Sequence, residues 1–135
     1  MEHSLEVHLP FLQESLERFS LVPLVVGDAS ADEVAEVLDR LWGGPETLIV
    51  ISSDLSHYHD YQTARGMDTA VSKAIEALEP EAIGFEDACG RNPITGLLRV
   101  ASRKGLRART LDLRNSGDTA GPRDQVVGYG AYVFH

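Results

Sequence analysis

The run Thr47-Leu48-Ile49-Val50-Ile51 limits the folds open to this chain more than any other stretch. It is of strand length and has no polar alternation, so it has no face to turn to water. Such a segment predicts a parallel strand covered on both sides by helices. Leu21 to Val26 is a second run of this kind, rich in valine and ended by Gly27, with Pro23 weakening its case as a central strand. Helical patterns flank both. Ser4 to Arg18 carries Leu5, Leu9, Leu12, Leu16 and Phe19 at helical spacing, with Pro10 marking a start or a kink. Asp28 to Ser30 offers caps to a helix with Val34, Val37, Leu38, Leu41 and Trp42 on one face, closed by Gly43-Gly44-Pro45. A further helix runs from about Tyr61 to Leu78 and stops before Pro80. Asn92-Pro93 predicts the cap and first turn of another, ending near Gly105. Arg107 to Arg114 and Val126 to Phe134 read as strands joined by a polar loop, Asn115 to Gln125. Alternation of this sort predicts an α/β fold, a mixed sheet whose later part is antiparallel, with helices packed on it.

The length, 135 residues, fits one domain, and 43% apolar content is enough for a buried core. Twelve basic against 21 acidic residues leave a formal charge of -9, which excludes a general nucleic-acid or anionic-membrane surface. No run approaches the length of a membrane span, and Met1-Glu2-His3-Ser4 does not open a signal peptide. The single cysteine cannot form an intramolecular disulfide and suits a reducing compartment, so a cytoplasmic protein is expected.

Three segments concentrate chemistry. Ser52-Ser53-Asp54-Leu55-Ser56-His57 follows the Thr47–Ile51 run, at the strand end where α/β proteins bind ligands. Asp54 and His57 are three apart, and on one side of a turn the carboxylate can orient the imidazole for acid/base work or metal ligation. The competing reading is a polar loop in which Asp54 or Asp60 caps the next helix. Glu2, His3, Ser4, Glu6 and His8 form a second cluster, with His3 and Glu6 on one helical face. Acids in a solvated first turn explain it as well, and that reading is preferred for Glu6 and His8. Cys89 precedes a helix start and neighbours Arg91, two features that favour a thiolate, against the alternative of an inert buried thiol. Gly117 to Gly121 reads as a surface loop, Tyr58 and Tyr61 as pocket rim or core, and His135 as a disordered end.

Four segments occur in a fixed order: Glu2 to Leu12 (EHSLEVHLPFL), Val50 to His57 (VISSDLSH), Cys89 to Ile94 (CGRNPI) and Val126 to Gly130 (VVGYG). Together they resemble the Memo-like proteins, known in prokaryotes as AmmeMemoRadiSam system protein B. The resemblance implies a fold related to the class III extradiol dioxygenases and a metal pocket. Cys89 matches the family's cysteine ligand, Asp54 and His57 match pocket residues with an acid/base role in any enzyme, and Glu2, His3 and Glu6 match a segment near the pocket. Iron is the first metal implied, with copper or zinc as alternatives. The family's two histidine ligands lie in a first half with no counterpart here, so residues 1–135 are expected to be an incomplete Memo-like domain. The resemblance implies a metal-binding protein with a redox role. Two alternatives are a nonhaem-iron extradiol-type dioxygenase and a module that binds a peptide or partner in the same pocket. The partners implied are an AMMECR-type protein and a radical-SAM enzyme.

Overall fold

A computed structural model describes residues 3–135. Four helices, α1 (Leu9–Ser15), α2 (Ala31–Leu41), α3 (Tyr61–Glu76) and α4 (Arg91–Arg103), pack with three strands, β1 (His57–His59), β2 (Ala108–Asn115) and β3 (Val126–Phe134). The strand order is β1-β3-β2, antiparallel throughout. β2 and β3 pair from Ala108 opposite Phe134 to Asn115 opposite Gly128, with one irregularity between Thr110 and Asp112. The pairing carries on past the strand ends, because Arg107 and His135 exchange both backbone hydrogen bonds. The C-terminal residue, expected to be disordered, is therefore tied to the sheet.

Local chemistry explains the helix starts. Ser30 and Glu33 form a reciprocal capping box on α2, leaving few of its first amides without a partner. Asp60 caps α3 by accepting from the amides of Gln62 and Thr63. The competing reading of the Asp/His segment holds in part, since Asp60 is the cap of α3 and Asp54 is not. α1 begins close to Pro10 and is far shorter than the 4–18 pattern suggested, with turns before it. The cap of α4 is Gly90 rather than Asn92. Asn92 instead donates from its side chain to the carbonyl of Gly27, while Pro93 occupies the first turn, where its missing N–H costs nothing.

α4 is the element between two cores. Ile94 and Leu98 join Leu55, Val71, Ile75 and Ile83 under the sheet, and Leu97 and Val100 join Val34, Ala35 and Leu38 of α2. The two helices meet at Gly96, where a Cβ would collide with Val34. Only glycine allows the backbones to come this close.

The two runs read as strands are corrected. Residues 21–26 and 47–51 lie in no ladder among the described residues. An apolar pattern makes a segment suited to a sheet, but a strand exists only where a neighbour accepts and donates its backbone hydrogen bonds. The sheet that forms is built from the later segments, as the antiparallel expectation for 107–134 required.

Asp68 of α3 fixes the start of the sheet. It is buried, and its Oδ1 accepts from the amide of Ser56 at 3.0 Å, beside β1. Burial raises its pKa above the ordinary aspartate value, against the lowering effect of the hydrogen bond from the Ser56 amide. A raised folded pKa means that the native state holds this proton more tightly than the unfolded chain. The resulting stability is present below the unfolded pKa and is lost as pH rises through the folded one. Asp68→Asn keeps an acceptor for Ser56 and removes the titration. Denaturant midpoints taken from pH 4 to 7 should show the variant gaining on the wild type as pH rises. Parallel profiles would contradict this account.

Candidate metal centre

Asp54, His57 and Cys89 come together in space. One ligand atom from each lies within 4.8 Å of the other two. Asp54 comes from the segment leading into β1, His57 opens β1, and Cys89 comes from the turn before α4. The Asp54 Oδ2 to His57 Nε2 distance is 3.4 Å, and both side chains are partly exposed. This is a long hydrogen bond that orients the ring without locking it. Cys89 is a free, exposed thiol. Its Sγ accepts the backbone N–H of Asp54 at 3.2 Å and lies 3.7 Å from Ser53 Oγ. The inert buried alternative for this cysteine does not hold.

Two features of the backbone build the cluster. Gly90 donates its N–H to Ser53 Oγ at 2.8 Å, pinning the start of α4 to the Asp54 segment. A Cβ on Gly90 would sit 2.7 Å from Ser53 Oγ and 2.9 Å from the carbonyl oxygen of Ser52, so the contact requires glycine. The second feature is Tyr58, which has φ 61° and sits where the β1–β3 register shifts between His57 and His59. A left-handed conformation costs a non-glycine residue about 1–2 kcal/mol. The irregularity gives His57 a direction that regular pleating would not.

Arg91 does not serve the cysteine. Its Nε donates to the carbonyl of Ile83 at 2.8 Å, and its guanidinium lies over the ring of Phe85 at 4.2 Å. The sequence placed it next to Cys89, but the helix turns it elsewhere.

The N-terminal cluster divides. Glu2 lies outside the described residues. His3 and Glu6 pair with each other at 3.0 Å and are well exposed, apart from the Asp54/His57/Cys89 group. Their spacing of three is realised in a turn rather than in a helix. His8, read as solvated, contacts Ser52 Oγ at 2.9 Å, and Ser52 also donates to the carbonyl of Ser4 at 3.3 Å. These bonds hold the first segment against the Ser52–His57 segment. His8, Phe11, Ser52, Asp54 and Tyr129 line a cleft of about 440 Å³ beside the cluster. Sequence spacing could not have found the His8–Ser52 contact, which joins residues 44 apart. A second cleft, about 450 Å³, lies between α3 and β2 and shares none of the three cluster residues. There Tyr61 donates to Asp118 at 2.6 Å with Arg123 over its ring, so the 115–125 segment read as a loop is anchored at this point.

Fold and site define a mixed α/β protein with a three-residue candidate metal centre containing a thiol. The Memo-like protein family model matches residues 1–133. A MEMO1 family protein of Methanosarcina mazei is 39% identical over 98% of this chain and 54% of its own length. Relatives of the same name from Aeropyrum pernix and Aquifex aeolicus are each 38% identical over 96% and 98% of the chain, and over 50% and 54% of their own lengths. The chain belongs to the Memo-like family, and it spans about half the length of these curated relatives. Among the described residues, no helix is long and apolar enough to cross a membrane.

Gly90→Ala forces Ser52, Ser53 or the start of α4 to move and should cost about 1–3 kcal/mol in denaturant unfolding. Gly66→Ala is the control. Nothing lies within 4 Å of its added methyl, and in an α3 interior it should stabilise by about 0.5–1 kcal/mol. Equal effects of the two changes would show that the Gly90 contact is not tight.

Proposed function

We propose that this Memo-like protein binds a metal ion through Asp54, His57 and Cys89 and that the ion serves a redox role. The observation that carries the reading is the convergence of a carboxylate, an imidazole and a thiol from two separate segments. Ligand atoms around one tetrahedral ion, at about 2.0–2.3 Å from it, lie roughly 3.3–3.8 Å apart. Three partly exposed or exposed side chains within 4.8 Å of one another close that gap by rotating.

The donor set selects the metal class. A hard oxygen, a borderline nitrogen and a soft sulfur suit iron, zinc or copper rather than magnesium or calcium. Iron is the first candidate. When bound, iron or copper supplies a Lewis acid and a one-electron redox couple. The chain's own residues set its surroundings. The Asp54 amide stabilises negative charge on Sγ, Asp54 orients the His57 ring, and the adjoining cleft gives access for a small molecule. The nonhaem-iron oxygenase arrangement uses two histidines and one carboxylate. A thiol in the set favours metal binding with a redox role over ring cleavage.

Metal content measured after loading with Fe(II) under anaerobic conditions tests the reading. The wild type should hold one equivalent, and Cys89→Ser should lower affinity at least tenfold with an unchanged far-ultraviolet spectrum. Stoichiometric iron at undiminished affinity in Cys89→Ser would contradict the assignment.

A further inference from the structure

The cleft between α3 and β2 stands apart from the metal centre. Its volume, about 450 Å³, falls within the range of roughly 300–1,000 Å³ usual for small-molecule sites. Its α3 wall carries Tyr61, Arg65 and Thr69, spaced by four and so on one face of the helix. Leu113 adds apolar surface from β2. The acids of the cleft all have partners. Asp112 pairs with Arg114 at 2.6 Å. Asp118 has both oxygens engaged, Oδ1 by the Tyr61 hydroxyl at 2.6 Å and Oδ2 by the Asn115 amide at 2.9 Å. Asp68 is buried and its Oδ1 holds the Ser56 amide.

Two guanidinium groups beside the cleft have no acid. Arg65 is exposed, and its side chain joins no ion pair or hydrogen bond among the described residues. Arg123 is fixed from three directions. Its carbonyl accepts from the Tyr61 amide at 3.0 Å, its Nε donates to the carbonyl of Gly117 at 3.2 Å, and its guanidinium lies 4.5 Å from the centre of the Tyr61 ring. Among the described residues no carboxylate lies within ion-pair distance of it. The other cationic cluster is different, because Arg99, Arg103 and Lys104 share Asp32, Asp39 and Glu81. The Tyr61 hydroxyl and the Asn115 amide hold the Asp118 carboxyl below the usual range, and Arg123 and Arg65 add to this from farther off. Both guanidinium groups are thus near one end of the cleft. A guanidinium held in place with its outer N–H groups unused is ready to accept a planar oxyanion in its fork. In a chain of formal charge -9 most of the surface repels an anion, so two unpaired arginines at one cleft single it out.

We propose that this cleft binds a small organic anion, its carboxylate or phosphate group held by Arg65 and Arg123 and its carbon skeleton laid against Leu113 and Tyr61. Benzoate and phenyl phosphate are the probes, added at constant ionic strength to the isotope-labelled chain and followed by nuclear magnetic resonance. At least one of them should shift the amides of Arg65, Thr69 and Leu113 and the Arg123 Nε–H saturably. The tighter of the two tells a carboxylate site from a phosphate site. Arg65→Gln should weaken binding by about tenfold or more with an unchanged far-ultraviolet spectrum, since this side chain has no partner to lose. Arg123→Lys keeps the charge, removes the fork and should weaken it as well. Arg109 is an exposed arginine of β2 outside the cleft, and Arg109→Gln should leave the affinity unchanged. No saturable shift with either probe would overturn the proposal. So would undiminished affinity in Arg65→Gln, or equal losses in Arg65→Gln and Arg109→Gln.

Discussion

The contact between Gly90 and Ser53 is the constraint on which the candidate centre depends. It joins the turn before α4 to the segment before β1, across 37 residues of sequence, through a hydrogen bond and a backbone approach that a methyl group would block. With it formed, Cys89 lies against the Asp54 amide, while the pairing of Leu55, Ser56 and His57 with β3 holds the other side of the cluster. α4 transmits the constraint to the rest of the molecule. Its one face completes the core under the sheet and its other face completes the core with α2, so the position of its first turn is set by both. Close packing makes that position stiff, because a shift of the helix would open space on one side and overfill the other.

The same segment carries strain and burial that serve position rather than stability. Tyr58 keeps a left-handed conformation within β1, and Asp68 sits in a buried environment that disfavours its charge while it holds the Ser56 amide. Both act within two residues of His57. Such local conflicts are common where a side chain must be aimed, and packing elsewhere offsets their cost.

What the sequence made legible follows from the range of each interaction. Asp60 as a cap, the α3 and α4 faces and the β2–β3 hairpin rest on local pattern, and the structure agrees with them. Asp54 and His57 are legible as a pair because they stand three positions apart. Cys89 entered the site through resemblance, since nothing in its neighbourhood says that a segment 35 residues away will meet it. The Thr47–Ile51 run shows the opposite failure. Its composition is that of a strand, but pairing needs a partner backbone, and the described residues offer none. The same holds for His8, whose partner Ser52 is distant in sequence.

A thiolate in the coordination sphere is the central chemical claim, and X-ray absorption at the metal edge reads it directly. Zinc serves as a redox-inert stand-in for iron. The zinc-loaded protein should show a sulfur scatterer at about 2.3 Å together with nitrogen and oxygen at about 2.0–2.2 Å. Cys89→Ser should lose the sulfur shell. A spectrum fitted by nitrogen and oxygen alone in the wild type would contradict the account.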